Sequence, residues 1–141
     1  MLKFLLPVDG SDTSNKAIAK FIKLLDWYRE TPEIHLLNVQ LPQRGNVARF
    51  IDKESLNLYH QEEGLKLLQP ARTLLDQAGI VCRFHITVGN PEEMIIRYAE
   101  TLVCDQIVIG PRGLGAVKGL LLGSVASKVM QVSTMPVLLI K

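Results

Sequence analysis

Gln106-Ile107-Val108-Ile109-Gly110-Pro111-Arg112-Gly113-Leu114-Gly115-Ala116-Val117-Lys118-Gly119-Leu120-Leu121-Leu122-Gly123-Ser124 is the stretch whose reading decides the fold. Its β-branched, uncharged opening reads as a strand buried on both faces. Five of the chain's ten glycines then fall between Gly110 and Gly123. A helix is expected from about Ser124 to Ser133, burying Val125, Val129 and Val132 on one side. Strand, glycine loop and helix in that order form the building unit of parallel sheets, and the free amides of such a helix start hold anions.

The same rhythm extends through the rest of the chain. Apolar runs at 2–8, 34–39, 105–110 and 136–140 read as strands, and 81–88 alternates as a fifth. Ile18, Phe21, Ile22, Leu25 and Tyr28 recur at helical spacing behind a cap offered by Ser11 to Ser14. Leu67, Ala71, Leu74, Leu75 and Ala78 form a second helical face that Gly79 ends, and Pro70 predicts a kink or two joined helices near Gln69. Asn90-Pro91-Glu92-Glu93 is a helix start, with Asn90 as cap and Pro91 at the first position. The alternation predicts one α/β domain over 1–141, a parallel sheet covered on both faces and right-handed crossovers.

Composition bounds the function. A chain of 141 residues with 48% hydrophobic and 21% charged residues builds one sizeable core and is not disordered. Its net charge of +2, with no aromatic stripe, argues against nucleic acid as a partner. No window approaches the ~18 uncharged apolar residues of a membrane span, and the opening run stops at Asp9. Cys82 and Cys104 form neither a disulfide scaffold nor a metal cluster, so a cytoplasmic setting is expected.

From 106 to 141 there are four basic residues, Arg112, Lys118, Lys128 and Lys141, and no acid. Together with the glycines this favours an anion at the loop, while turn formation alone accounts for one or two of the glycines. Ser124 offers a hydroxyl and a cap. The loop is neither a P-loop, since no Lys precedes Ser124, nor a dinucleotide fingerprint, which belongs after the first strand. Asp9 ends the first strand, where ligands of parallel sheets bind. Its carboxylate suits a ribose hydroxyl or a Mg²⁺ beside phosphates, and equally an Asx turn or helix cap. Val39 ends the second strand and offers its backbone to a base edge. Gly89 ends the third, making room for a ligand or only breaking the strand.

Gly110-x-x-Gly113, nine residues (114–122), then Gly123-Ser124 resembles the ATP-binding pattern of the universal stress protein family. Pro7-Val8-Asp9-Gly10-Ser11, Leu37-Asn38-Val39, Val88-Gly89-Asn90-Pro91 and Pro136-Val137-Leu138-Leu139-Ile140 extend the resemblance over nearly the whole chain. It implies a doubly wound, five-stranded sheet of order 3-2-1-4-5 and a homodimer through Pro136, Val137, Leu138, Leu139 and Ile140. It further implies ATP or AMP with adenine near Val39, ribose near Asp9 and Gly110, and phosphates on Gly113, Gly123 and Ser124. Pro7, Ser11, Gly89, Arg112 and Val125 complete the expected contact set, and Asp9 would hold Mg²⁺ with ATP.

Hydrolysis needs a base or a positioned water and a charge clamp. His35 and His85 read as packed or surface residues within strands, and His60 as solvated on a charged helix. The expected function is therefore nucleotide-dependent regulation of a stress response with little turnover, with a regulatory protein of unidentified kind as a further partner. A slow Mg²⁺-dependent ATPase or phosphotransferase using Asp9 and Lys118, and a nucleotide-free interaction module, are the alternatives.

Overall fold

The computed structural model describes residues 1–43, 51–111, 113 and 122–141. Its elements run β1 (Lys3–Pro7), α1 (Asp12–Leu24), a 3₁₀ turn (Leu25–Trp27), β2 (Glu33–Gln40), α2 (Lys53–Gln77), β3 (Cys82–Val88), α3 (Pro91–Thr101), β4 (Gln106–Ile109), α4 (Ser124–Val132) and β5 (Val137–Leu139). All pairings are parallel, and the five strands lie in the order β3-β2-β1-β4-β5. This is the doubly wound sheet that the alternation and the resemblance predict.

Strand periodicity divides the core in two. Phe4, Leu6, Val8, Ile34 and Leu36 point to one face and pack against Ile18 and Phe21 of α1 and Leu68, Ala71 and Leu75 of α2. Leu5, Leu37, Ile107 and Ile109 point to the other, against Ile95 and Ala99 of α3 and Ala126 and Val129 of α4. Successive residues of a strand face opposite ways, so a sheet buried on both sides must be apolar at both parities. The uncharged run from Phe4 to Leu6 is that requirement written in sequence, and all three side chains are buried.

The helix starts follow from their caps. Ser11 Oγ accepts from the Ser14 amide at 3.1 Å, Asp52 Oδ1 from the Ser55 amide at 2.7 Å, and Asn90 Oδ1 from the Glu93 amide at 3.2 Å. Four sequence expectations need correction. α2 is one continuous helix of 25 residues through Pro70, not two joined helices. Pro70 is exposed, so the Lys66 carbonyl it leaves without a partner lies on the solvent side and can be met by water. Tyr28 lies beyond α1, after the 3₁₀ turn, although its ring still packs edge-on against Phe4 with centroids 5.2 Å apart. The first helical residue of α4 is Ser124 but its cap is Gly123, no side chain caps this end, and Val132, at the last position of the helix, is exposed where burial was expected.

α2 and α3 end in the same motif with different residues. Gly79 N donates to Asp76 O and Ile80 N to Leu75 O, with Gly79 at φ +73°. Val103 N donates to Glu100 O and Cys104 N to Ala99 O, with Val103 at φ 56°. A left-handed residue at this position is ordinarily glycine, and a β-branched one costs roughly 1–3 kcal/mol. Val103 is 76% exposed, so its side chain returns little packing energy. Val103→Gly is expected to stabilise the protein by about 1 kcal/mol and raise Tm by about 3 °C in a thermal melt. An unchanged or lowered Tm would show that the left-handed turn carries no relievable strain.

Candidate nucleotide site

The C-terminal ends of β1 and β4 meet where the strand order reverses, the crevice in which open parallel sheets take ligands. Asp9 leaves β1 and turns at once. Its Oδ1 accepts from the Ser11 amide at 2.9 Å, and Gly10 follows at φ +84°. This is the Asx turn foreseen as one role of Asp9. Gly10 is required on two counts. Its φ disfavours a side chain, and a Cβ would lie 2.5 Å from Leu67 Cδ2 of α2.

Gly113 lies against the same turn. A Cβ at Gly113 would overlap Asp9 Oδ2 and crowd Asp9 Cγ at 3.0 Å. The glycine thus lets the backbone after β4 approach a carboxylate at the end of β1. The loop is also closed at its base, because Gly123 N donates to Pro111 O at 2.7 Å. Gly110, Gly113 and Gly123 are half-buried and Ser124 is exposed at the first turn of α4. The structure therefore brings together Asp9, Gly110, Gly113, Gly123 and Ser124. The expectations for Arg112 and Lys118 lie outside the described residues.

The remaining expected residues line the neighbouring strand ends. Pro7 is half-buried and pairs with Leu37 of β2. Val39 and Val125 are half-buried against the α3/α4 side of the core. Gly89 N donates to Gln40 O at 2.9 Å, and a Cβ there would lie 2.9 Å from Met94 Cγ, so its place beside α3 is itself tight. Ser11 is occupied as the cap of α1.

A polar chain beside Asp9 is absent from the sequence reading. Asn38 Nδ2 donates to Val8 O at 2.9 Å, and Gln40 Nε2 donates to Asn38 Oδ1 at 2.7 Å. His60 Nδ1 stands 3.4 Å from Gln40 Oε1. A backbone carbonyl only accepts, so it fixes both amide orientations and makes His60 Nδ1 the donor at the far end. The chain pins the peptide immediately before Asp9. Its signal was available as two amides, Asn38 and Gln40, at alternate positions closing an apolar strand. His60 is not solvated as expected. It is 3% exposed, and its Nε2 is buried with no hydrogen-bond partner among the described residues.

Other reactive groups are remote or subdued. His35 is buried, and it and His85 are tied to Glu33 within β2 and β3. Burial pushes the Cys104 thiol up to about 11 and raises Cys82 as well, so neither thiol is a ready nucleophile at neutral pH. Among the described residues no group of three or more His, Cys, Asp or Glu side chains could hold a metal ion. Mg²⁺ bound chiefly through phosphates and water needs only one or two carboxylates, which the single Asp9 satisfies. Among the described residues no helix is long and apolar enough to cross a membrane.

Fold and site together define a doubly wound α/β protein with glycines gathered against Asp9 at its switch point. The universal stress protein family matches residues 1–141, and the chain belongs to that family. Universal stress protein YxiE of Bacillus subtilis is 30% identical, over 99% of this chain and 98% of its own length. Universal stress protein MJ0577 of Methanocaldococcus jannaschii is 30% identical, over 99% and 94%. Its solved structure superposes with a TM-score of 0.81 at 29% identity, covering 99% of this chain and 95% of that one. A universal stress protein family member from Arabidopsis thaliana, solved with AMP bound, shares the fold with a TM-score of 0.71 at 21% identity, covering 100% and 92%.

Proposed function

We propose that the chain binds an adenine nucleotide, ATP or AMP, at the ends of β1 and β4 and acts as a cytoplasmic regulator of a stress response with little turnover of its own. The observation that carries this reading is the contact of Gly113 with the Asp9 carboxylate. A carboxylate against a glycine backbone, with the side-chain-free helix start of α4 following the same loop, supports a ribose or Mg²⁺ on Asp9 and phosphates on the loop. Adenine lies near the Val39 backbone, ribose on Asp9 and Gly110, and phosphates on Gly113, Gly123 and Ser124. Pro7, Ser11, Gly89, Arg112 and Val125 complete the pocket, and Mg²⁺ accompanies ATP through Asp9. AMP in the Arabidopsis relative supports the ligand class. The active unit is a homodimer through β5, open to a regulatory protein partner.

Mass spectrometry of small molecules released from the purified protein is expected to show an adenine nucleotide. Finding none, together with no heat of ATP or AMP binding in titration calorimetry, would leave the nucleotide-free interaction module. The low-turnover expectation rests on the histidines. Among the described residues, each is committed to a strand-buried array or buried beside Gln40. Steady-state ATP hydrolysis is expected far below the ~1 s⁻¹ at which ordinary enzymes begin. Enzyme-like rates that vanish in Asp9→Ala would establish the ATPase instead.

A further inference from the structure

Glu33, His35 and His85 form a hydrogen-bonded row on the α3-facing side of β2 and β3. His35 Nε2 is 2.6 Å from Glu33 Oε1, and His35 Nδ1 is 2.8 Å from His85 Nε2. The two rings are 11° from coplanar with centroids 5.1 Å apart. That is the separation of rings joined edge to edge through one in-plane N–H···N bond, not of rings stacked face to face. His35 is 2% exposed, while Glu33 and His85 are half-buried.

Donor and acceptor roles follow from the acceptor-only end. An ionised Glu33 requires His35 Nε2 to donate. Neutral His35 then presents a lone pair at Nδ1, so His85 Nε2 must be the donor in the second bond. In this state the row carries the single negative charge of Glu33. One added proton can be taken up with every bond kept. It arrives at Nδ1 of His85 as the Nε2 proton of His85 passes to Nδ1 of His35. His35 becomes an imidazolium donating to Glu33 and to His85, which remains neutral in its Nδ1–H form, and the row becomes net neutral. A second proton has no such arrangement, because it sets an N–H of His85 against an N–H of His35.

We propose that this row is an acid-responsive element that stores one proton and opens the β2–β3 edge on accepting a second. The surrounding groups are Lys3 of β1, Arg83 of β3, Tyr98 of α3, and Cys104 and Asp105 of the turn before β4. Lys3 Nζ is held by Leu102 O at 2.9 Å, and the Lys3 amide by Asp105 at 2.8 Å. Tyr98 lies with its ring centroid 5.6 Å from that of His85. The hydrogen bond from His35, with Lys3 and Arg83 adding, holds the Glu33 carboxyl below its usual range, so the row keeps its acceptor-only end in mild acid. Burial, with His35 and Arg83 adding, lowers the His85 value, in keeping with refusal of the second proton. The signs follow. The unfolded chain protonates His85 below about pH 6.5 while the folded row resists, so the stability His85 contributes is complete above that pH and is lost as pH falls toward its lowered folded value. The Glu33 contribution is likewise lost as pH falls through its depressed value.

Long-range ¹H–¹⁵N imidazole spectra of the full chain, recorded as pH falls from 8 to 5, test this directly. In the first step His35 should gain a second N–H while His85 changes from the Nε2–H to the Nδ1–H tautomer. Full protonation of His85 should come only later, together with faster hydrogen exchange of the β3 amides. Glu33→Gln keeps an acceptor for His35 but removes the charge, and should lower the uptake midpoint by about one pH unit or more, a tenfold or greater loss of proton affinity. His85 becoming an imidazolium in the first step, or an unmoved midpoint in Glu33→Gln, would overturn the proposal.

Discussion

Gly113→Ala is expected to weaken ATP and AMP binding about 100-fold or more, a loss of ~2.7 kcal/mol, in titration calorimetry of an otherwise folded protein. The added methyl would occupy the place of Asp9 Oδ2. Aspartate is short, so its carboxylate cannot step aside without swinging off the Ser11 amide that it accepts at 2.9 Å. If instead the backbone at 113 retreats, the amide proposed to meet phosphate moves away from the end of β1. Either movement separates the two halves of the site. The core survives, because Gly113 belongs to neither side-chain cluster that covers the sheet. Gly123→Val should lose binding by a different route. It places a branched side chain at the uncapped start of α4, beside the hydrogen bond from Gly123 N to Pro111 O. Unchanged titrations for both variants, with unchanged melting curves, would remove the phosphates from this loop.

How far the sequence was legible depends on which physical signal each element leaves. β1, β2 and β4 are buried on both faces and announce themselves as apolar runs, charged only at the opening residues Lys3 and Glu33. The caps at Ser11 and Asn90 were equally plain, since a cap is a local hydrogen bond between residues three apart. Pro70 misled because propensity penalises proline by its missing N–H. The penalty is modest where the freed carbonyl lies on the solvent side. His60 misled for the opposite reason. Its neighbours along the helix are charged, but its burial depends on Gln40, twenty positions earlier. The Glu33–His35–His85 row was invisible for the same cause, since a contact between His35 and His85 is fixed by parallel register and not by spacing. Within the site, the glycines could be counted from the sequence. Only the fold shows that Gly113 is required by Asp9 and Gly10 by Leu67.

Leu139→Pro is expected to convert a homodimer into a monomer, weakening self-association by about 100-fold, ~2.7 kcal/mol, while leaving nucleotide affinity within about twofold, ~0.4 kcal/mol. β5 is the last strand in the order, so one side of its backbone meets β4 and, among the described residues, no further strand pairs with the other. Ile107 N donates to Pro136 O, and Ile140 N donates to Ile109 O. With Ile107 opposite Val137 and Ile109 opposite Leu139, the even positions 136, 138 and 140 face β4. Val137 and Leu139 therefore turn their N–H and C=O groups outward. An open, uncharged edge of this kind invites pairing, and a second copy across a two-fold axis satisfies it. The opposite edge, β3, carries the exposed Arg83, a charge that discourages the same pairing there. Proline at 139 deletes an outward donor without touching the ladder to β4. Leu138→Pro deletes an inward one and should cost stability as well as assembly. Sedimentation equilibrium at high micromolar concentration distinguishes the outcomes. A wild-type monomer, or a Leu139→Pro dimer as tight as the wild type, would move the interface away from β5.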